Sequence, residues 1–178
     1  MKLTIFIFSL LIFTGCEEEK VKPPISSLNV KEIPAQESWN SKVIFSDSGI
    51  TKAILNTGHL RVFSESRETL LDQNIKVDFY NNEEVKTTTL TAKNGKVDDA
   101  SQNLWAYDSV VVVNDSGVVI KTDELMWRNL DKKIVSDKYV KITSPVETIE
   151  GIGFESDQSL RNYVIYKITY ITRRDSIL

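Results

Sequence analysis

The strongest constraint on the fold is an apolar pattern that appears twice in the sequence, thirty positions apart. The first copy is LWAYDSVVV at residues 104–112 and the second is IVSDKYVKI at residues 134–142, with a weaker third copy after residue 162. Self-similarity at a fixed period in short, alternating, β-branched segments indicates stacked strand units that each bury one face against the next. The pattern therefore predicts an all-β chain folded as an open, twisted β-roll or jelly roll.

The repeated positions also predict one continuous apolar face. Successive side chains of a strand point to opposite sides of the sheet, so Trp105, Tyr107, Asp137 and Lys141 are expected on the other face. The pattern itself fits either an open apolar trough or a closed, dry core, since a hydrophobic stripe commonly means packing. The candidate lining residues are Leu104, Ala106, Val110, Val112, Ile120, Ile134, Ser136, Val140, Ile142, Val164, Tyr166 and Tyr170. Asp108 and Lys138 interrupt this row and are expected at a rim or a bulge.

The composition is that of an ordinary globular domain. The chain has 178 residues, of which 41% are hydrophobic and 26% are charged, which argues against general disorder and favours one domain. Its net charge of −3, with lysines and arginines scattered along the chain, argues against a nucleic-acid partner.

The amino terminus has the features of a secretory leader. Lys2 precedes an apolar run that is too short to span a bilayer, and the run ends in FTGC, which resembles the lipobox of bacterial lipoproteins. We therefore expect a signal peptide at residues 1–15 and lipidation of Cys16, the only cysteine in the chain. An ordinary leader with an incidental cysteine is the alternative.

The segments after the leader differ in composition. Residues 16–40 combine three prolines with mixed charges and no hydrophobic period, which predicts a flexible tether after the lipidated cysteine. We expect the β-roll domain at residues 41–172 and a polar tail at residues 173–178.

The residues that usually carry catalysis or metal binding are sparse. His59 is the only histidine, which leaves no His-paired nucleophile and no multi-histidine metal site, and we expect it at the surface or in a turn. Ser48 and Ser116 lie in SDSG and NDSG, which are typical of tight turns and not of a nucleophile elbow.

Two further patterns are better explained by structure than by ligand binding. The acidic pairs Asp98-Asp99 and Asp123-Glu124 lack calcium-loop spacing and are expected as solvated turn residues. The GIG run at residues 151–153 has no helix pattern after it, so we expect a β-bulge there and not a dinucleotide loop. The sequence thus predicts no enzyme, no cofactor and no metal site.

Three segments carry a resemblance to a known family. They are SDSGITKAILNTGHLRVF, the region from LTAKNGKVDD through LWAYDSVVVVNDSGVVIKTDELMW, and the region from KIVSDKYVKI to IEGIGF. The T-x-E-L-x-W piece at residues 122–127, with a glycine-containing run before it and G-x-G after it, is moderately specific. Over roughly residues 43–170 the chain resembles the LptC family of lipopolysaccharide-export proteins, in the lipoprotein form of Bacteroidetes-type envelopes.

The resemblance implies a function in lipid transport. It implies a V-shaped β-roll whose apolar interior holds the acyl chains of lipopolysaccharide. The lipid would come from an inner-membrane ABC transporter, whose ATPase supplies the energy, and pass to an LptA-like periplasmic bridge protein by edge-to-edge pairing of the rolls. The protein would be lipid-anchored at the periplasmic face of the inner membrane. From the pattern of the apolar stripe, we expect Trp105 and Trp127 to be packing or edge residues rather than lipid contacts.

A different class of function is also compatible with the sequence. A lipoprotein β-roll could act as a structural or surface binding module that contacts protein or glycan by its outer face, without lipid transfer. The acidic residues Glu17 to Glu19, directly after the cysteine, would suit export to the outer membrane. Lipid transfer and surface binding are distinguished by the membrane fraction that holds the protein and by the face of the sheet that contacts the ligand.

Overall fold

The computed structural model describes residues 33–173, which form one antiparallel sheet of ten strands, so the all-β prediction is confirmed. The predicted signal peptide, Cys16 and most of the tether lie outside the described residues. The strands are β1 (Gln36–Asp47), β2 (Ile50–Phe63), β3 (Glu68–Tyr80), β4 (Lys86–Ala92), β5 (Asn94–Asp98), β6 (Leu104–Asn114), β7 (Val119–Arg128), β8 (Lys133–Thr143), β9 (Glu147–Asp157) and β10 (Tyr163–Arg173).

The strands follow one another across the sheet in nearly the order of the chain. The spatial order is β1-β2-β3-β4-β6-β7-β8-β9-β10, while β5 continues the line of β4 after Lys93 and pairs with β3 and β6. β1 begins at Gln36, ahead of the domain boundary expected at residue 41. Because neighbouring strands are joined by short turns, β1 and β10 are left at the two edges of the sheet.

A line of backbone irregularities, here called the crease, crosses the sheet through the middle of its long strands. Along it the pairing register shifts between Thr57 and His59, between Tyr107 and Val110, and between Ser136 and Tyr139. The crease passes through Asn40, Gly58, Gln73–Asn74, Lys93, Asp108–Ser109, Asp137–Lys138 and Gly153. Bulged residues bend a strand sharply, and the predicted irregularity at Asp108 and Lys138 is confirmed.

The crease depends on residues that tolerate a left-handed backbone or close approach. Asn74 and Asp108 have φ angles of 66° and 62°, in the region that Asn and Asp enter more readily than most side chains. A Cβ atom on Gly58 would lie 2.6 Å from the carbonyl oxygen of Gln73, so only glycine fits there.

The crease folds the sheet into two limbs that face each other. The first limb carries the turns at residues 47–50, 81–85, 114–118 and 144–147, and the second limb carries those at residues 64–67, 99–103, 129–132 and 157–162. The hydrophobic core fills the space between the limbs: Trp127 of the second limb contacts Phe45 and Phe79 of the first. The gap opposite the crease, between the two rows of turns, is called the mouth below.

Several smaller sequence predictions have clear outcomes. Ser48 and Ser116 lie in turns, as expected, and the Asp98 carboxylate accepts hydrogen bonds from the turn that it begins. The prediction for Asp123-Glu124 is wrong: both residues lie within β7, where the strand crosses the crease. His59 lies within β2 and not in a turn; its Nε2 is 2.7 Å from the Glu37 carboxylate, and its ring stacks on Trp39.

Candidate functional site

Most of the predicted lining residues meet on the inner face between the limbs. Those on β6, β7 and β8 are 0–1% exposed, apart from the polar Ser136. The two-residue bulge at Asp108–Ser109 preserves the alternation, so Leu104 and Ala106 before it share a face with Val110 and Val112 after it. The predicted lining residues that are buried on the inner face are Leu104, Ala106, Val110, Val112, Ile120, Ile134, Val140 and Ile142.

Ser136 has a different position from the one expected. It lies on β8 where the strand meets the crease, and its hydroxyl donates a hydrogen bond of 2.7 Å to the carbonyl oxygen of Glu124. The same hydroxyl accepts a hydrogen bond from the backbone N–H of Lys138. Ser136 thus satisfies polar backbone groups that the bulges on β7 and β8 leave free.

The prediction for the third copy of the repeat is wrong. Val164, Tyr166 and Tyr170 are 56%, 68% and 53% exposed and belong to the outer side of β10. The residues of β10 that pack against the core are Tyr163 and Ile165, which pair with Ser156 and Phe154. The inward-facing residues of β10 lie one position before those that the thirty-residue spacing predicts. A shift of one residue moves every side chain of a strand to the other face.

The interior is filled with large side chains that the repeat analysis did not select. The inner faces of β2 and β3 contribute Leu55 and Phe79, and β9 contributes Phe154, all essentially without solvent exposure. In the sequence, Leu55 and Phe79 are indicated only by the alternation of apolar and polar residues along β2 and β3, and this alternation is not repeated thirty residues later. In this conformation the apolar face is a closed core.

The loop at residues 157–162, between β9 and β10, closes the mouth. It belongs to the second limb but inserts Leu160, which is 0% exposed, into the core. From the first limb, the Thr88 hydroxyl donates to the Gln158 carbonyl oxygen at 2.6 Å, and the Asn114 amide donates to the Ser159 carbonyl oxygen at 2.8 Å. We call these residues 157–162 the closing loop.

The closing loop is held in shape by the carboxylate of Asp157. This carboxylate accepts hydrogen bonds from the Ser159 hydroxyl, the Asn162 amide and the backbone N–H of Arg161. Burial works to raise the pKa of Asp157, but these hydrogen bonds outweigh it and hold the pKa below its ordinary value of 3.8. At neutral pH the ionised carboxylate therefore stabilises the closed loop.

Lys141 lies on the outer face, as predicted. Its ammonium group is 2.8 Å from the Glu150 carboxylate, which also accepts a hydrogen bond from the Tyr139 hydroxyl. The hydrogen bonds from Lys141 and Tyr139 lower the pKa of Glu150, and the bond to Glu150 raises that of Lys141. Val140, the preceding residue, is fully buried on the inner face, so residues 140 and 141 lie on opposite faces of β8.

Comparison with known proteins identifies the family. The sequence matches, over residues 3–170, the profile of the family described as lipopolysaccharide-assembly, LptC-related. The chain belongs to this family. A search of curated proteins gave no significant match.

Membership in the LptC-related family places the chain in lipopolysaccharide transport, as a periplasmic component associated with the inner membrane. Within residues 33–173, the structure contains no helix long and apolar enough to cross a membrane. Nor does this part of the chain bring three potential metal-ligating side chains together.

The edge strand β10 of this LptC-related domain exposes five large hydrophobic side chains. In the described part of the chain it pairs only with β9, so its other edge presents free backbone groups. Its side chains remain accessible on both faces beyond the crease; the exposed apolar residues are Val164, Tyr166, Ile168, Tyr170 and Ile171. An accessible edge of this kind is suited to pairing with a strand of another chain.

Proposed function

We propose that this chain is a lipid-anchored carrier that receives lipopolysaccharide from an inner-membrane ABC transporter and passes it to an LptA-like bridge protein. The single observation that carries the proposal is the continuous apolar inner face of a sheet folded along a crease. Each acyl CH₂ group that leaves water for such a face gains about 0.8 kcal/mol, while the sugars stay in solvent outside. Because binding must also be reversible, the ATPase drives movement through the carrier.

The lipid would enter by separation of the two limbs at the mouth. Backbone ladders run within each limb, whereas the described contacts across the mouth are side-chain packing and the bonds of the closing loop. The limbs can therefore part about the crease without breaking the ladders. In the empty state, closure protects the apolar face from water.

The two free edges of the sheet would connect the domain to its neighbours. β10 is the edge we assign to the LptA-like protein, since its apolar side chains are exposed and its backbone groups are free. Strand addition to such an edge supplies main-chain hydrogen bonds, and contacts of the exposed side chains select the partner.

The anchor would be the acylated Cys16. A single acyl chain binds a membrane only marginally, whereas the several chains of a bacterial lipoprotein cysteine give stable anchoring. Labelling with a radioactive fatty acid checks this: incorporation should be lost in Cys16→Ser, with the domain still folded. Labelling that persists in the variant would exclude this anchor.

The decisive experiment places a photo-crosslinking amino acid at Val110 on the inner face and, separately, at Lys141 on the outer face, in living cells. We expect a lipopolysaccharide adduct from position 110 and none from position 141. No adduct from either position, in a folded and correctly localised protein, would contradict the proposal.

A second candidate is a structural or surface binding module without lipid transfer, and the tightly filled interior favours it. If the core never opens, ligands would contact only the outer face, and the crosslinks at position 141 would be to protein or glycan. Fractionation adds a separate criterion, since a surface module would be found with the outer membrane.

A further inference from the structure

One polar group in the apolar interior has no hydrogen-bond partner. Trp127 is 0% exposed, and its indole Nε1 is buried without an acceptor among the described residues. A buried donor without an acceptor is unfavourable, because the group has lost its hydrogen bonds to water. Such groups are uncommon in native structures and need a specific explanation.

A second donor of this kind lies at the same end of the interior. The side-chain Nε2 of Gln158, in the closing loop, is also buried without an acceptor among the described residues. Trp127 on β7 pairs with Ile134 on β8, and Ile134 pairs with Ser156 on β9. Ser156 directly precedes the closing loop, so Trp127 and the start of this loop lie two strands apart at the same end of the second limb. The mouth end of the apolar interior thus holds two donor nitrogens without an acceptor among the described residues.

A positive charge lies beside the indole. The Lys132 ammonium group stands over the Trp127 ring, 5.6 Å from its centroid, and donates a hydrogen bond of 2.6 Å to the Asn129 side chain. Lys132 forms no salt bridge with a carboxylate in residues 33–173. A cation therefore lies next to the ring that carries the unsatisfied donor.

We propose that Trp127 donates its indole N–H to a carbonyl oxygen of an ester- or amide-linked acyl chain, while Lys132 binds the anionic headgroup of the same lipid. This inference rests on the proposed lipid-carrier function and adds the residues that set the depth of the lipid. A hydrocarbon chain alone would leave the N–H unsatisfied. An acyl carbonyl satisfies it at the point where the chain joins the headgroup, next to the lysine.

The test compares two anionic phospholipids with the same headgroup and chain length, one with ester-linked and one with ether-linked chains, binding to the purified domain with its tether. The native protein should bind the ester lipid about fivefold more tightly, which is the effect of one neutral hydrogen bond. Trp127→Phe should bind both lipids equally. Site-specific replacement of Trp127 by benzothienylalanine, in which sulfur takes the place of the N–H group, should do the same with the shape preserved.

Two further variants separate this role from general packing. Trp105→Phe removes an indole from the outer face, where the Lys96 ammonium group lies over the ring, and should keep the ester preference. Lys132→Gln should keep that preference but bind an anionic lipid no more tightly than a zwitterionic one. Because the benzothienylalanine variant loses an unsatisfied donor, its thermal stability should be equal to or above that of the native protein.

The outcomes distinguish the two proposals. An ester preference that persists in both Trp127 variants would overturn the role of the indole while leaving the carrier function intact. Absence of binding of either phospholipid and of lipopolysaccharide to the native protein would overturn both. Loss of the ester preference in Trp105→Phe as well would show a general folding effect and would also contradict the assignment to Trp127.

Discussion

The ring of Trp127 packs edge-on against the ring of Phe45, with 5.5 Å between their centroids. Phe45 lies on β1, at one edge of the sheet, and Trp127 lies on β7 beyond the crease. The contact therefore joins opposite limbs of one sheet, and Phe79 on β3 adds a second aromatic contact to the same indole. The closed state is held by packing between residues that are far apart in the sequence.

Truncation of an aromatic at this contact should destabilise the closed domain strongly. Phe79 is fully buried against Trp127, so Phe79→Ala should lower the free energy of unfolding by about 3–5 kcal/mol, measured by urea denaturation. Ile44→Ala serves as the control, since Ile44 is exposed on the outer side of β1 and should change stability by less than about 0.5 kcal/mol. Equal effects of the two substitutions would contradict packing of Phe79 between the limbs.

Adjacent positions on β10 should report opposite faces of the sheet. Ile165 packs against the core and Tyr166 is exposed, although the repeat had assigned Tyr166 to the interior. A photo-crosslinker at position 165 should capture lipopolysaccharide, and one at position 166 should not. Capture at 166 with none at 165 would restore the face that the repeat predicted.

Weakening the closing loop should loosen the mouth without disturbing the sheet. Thr88→Val removes the hydroxyl that donates to the Gln158 carbonyl oxygen and should accelerate hydrogen exchange at the Leu160 amide about fivefold, as expected for about 1 kcal/mol. Thr89→Val is the matched control, because Thr89 donates to the Asp78 carboxylate. It should leave exchange in the loop unchanged; acceleration in both variants would show that the effect is not specific to the mouth.

Acid should open the closing loop through Asp157. The folded-state pKa of this carboxylate is lowered, so its contribution to stability is complete above the ordinary pKa of 3.8 and is lost as the pH falls through the folded value. Hydrogen exchange of the loop, followed from pH 6 downward and corrected for intrinsic rates, should show loss of protection only below about pH 4.

The substitution Asp157→Asn gives this pH effect its control. It should loosen the loop already at neutral pH and remove most of the acid-dependent step. Asp115 is the other carboxylate at the loop, paired with Arg161, so the measurement is made in Asp115→Asn as well. An acid-dependent step that survives in Asp157→Asn but vanishes in Asp115→Asn would contradict the role of the Asp157 carboxylate.

The sequence was informative where the alternation is local. The predicted inner residues from Leu104 to Val112 and from Ile134 to Ile142, apart from Ser136, lie on the expected face, because the two-residue bulges of β6 and β8 preserve the period of two. The same reasoning failed on β10. There the chain turns through the closing loop with Leu160 in a left-handed conformation, and the inner face begins one residue earlier than the repeat requires.

The sequence by itself indicated an all-β chain, the irregularities at Asp108 and Lys138, and the inner face of the central strands apart from Ser136. These properties follow from side-chain alternation and turn chemistry, which act between residues close in the chain. Only the tertiary structure decided that the limbs close on each other, that Phe45 meets Trp127, and that Leu160 fills the mouth. Those contacts depend on where the crease brings distant strands together, and the spacing of residues along the sequence does not indicate which distant strands meet.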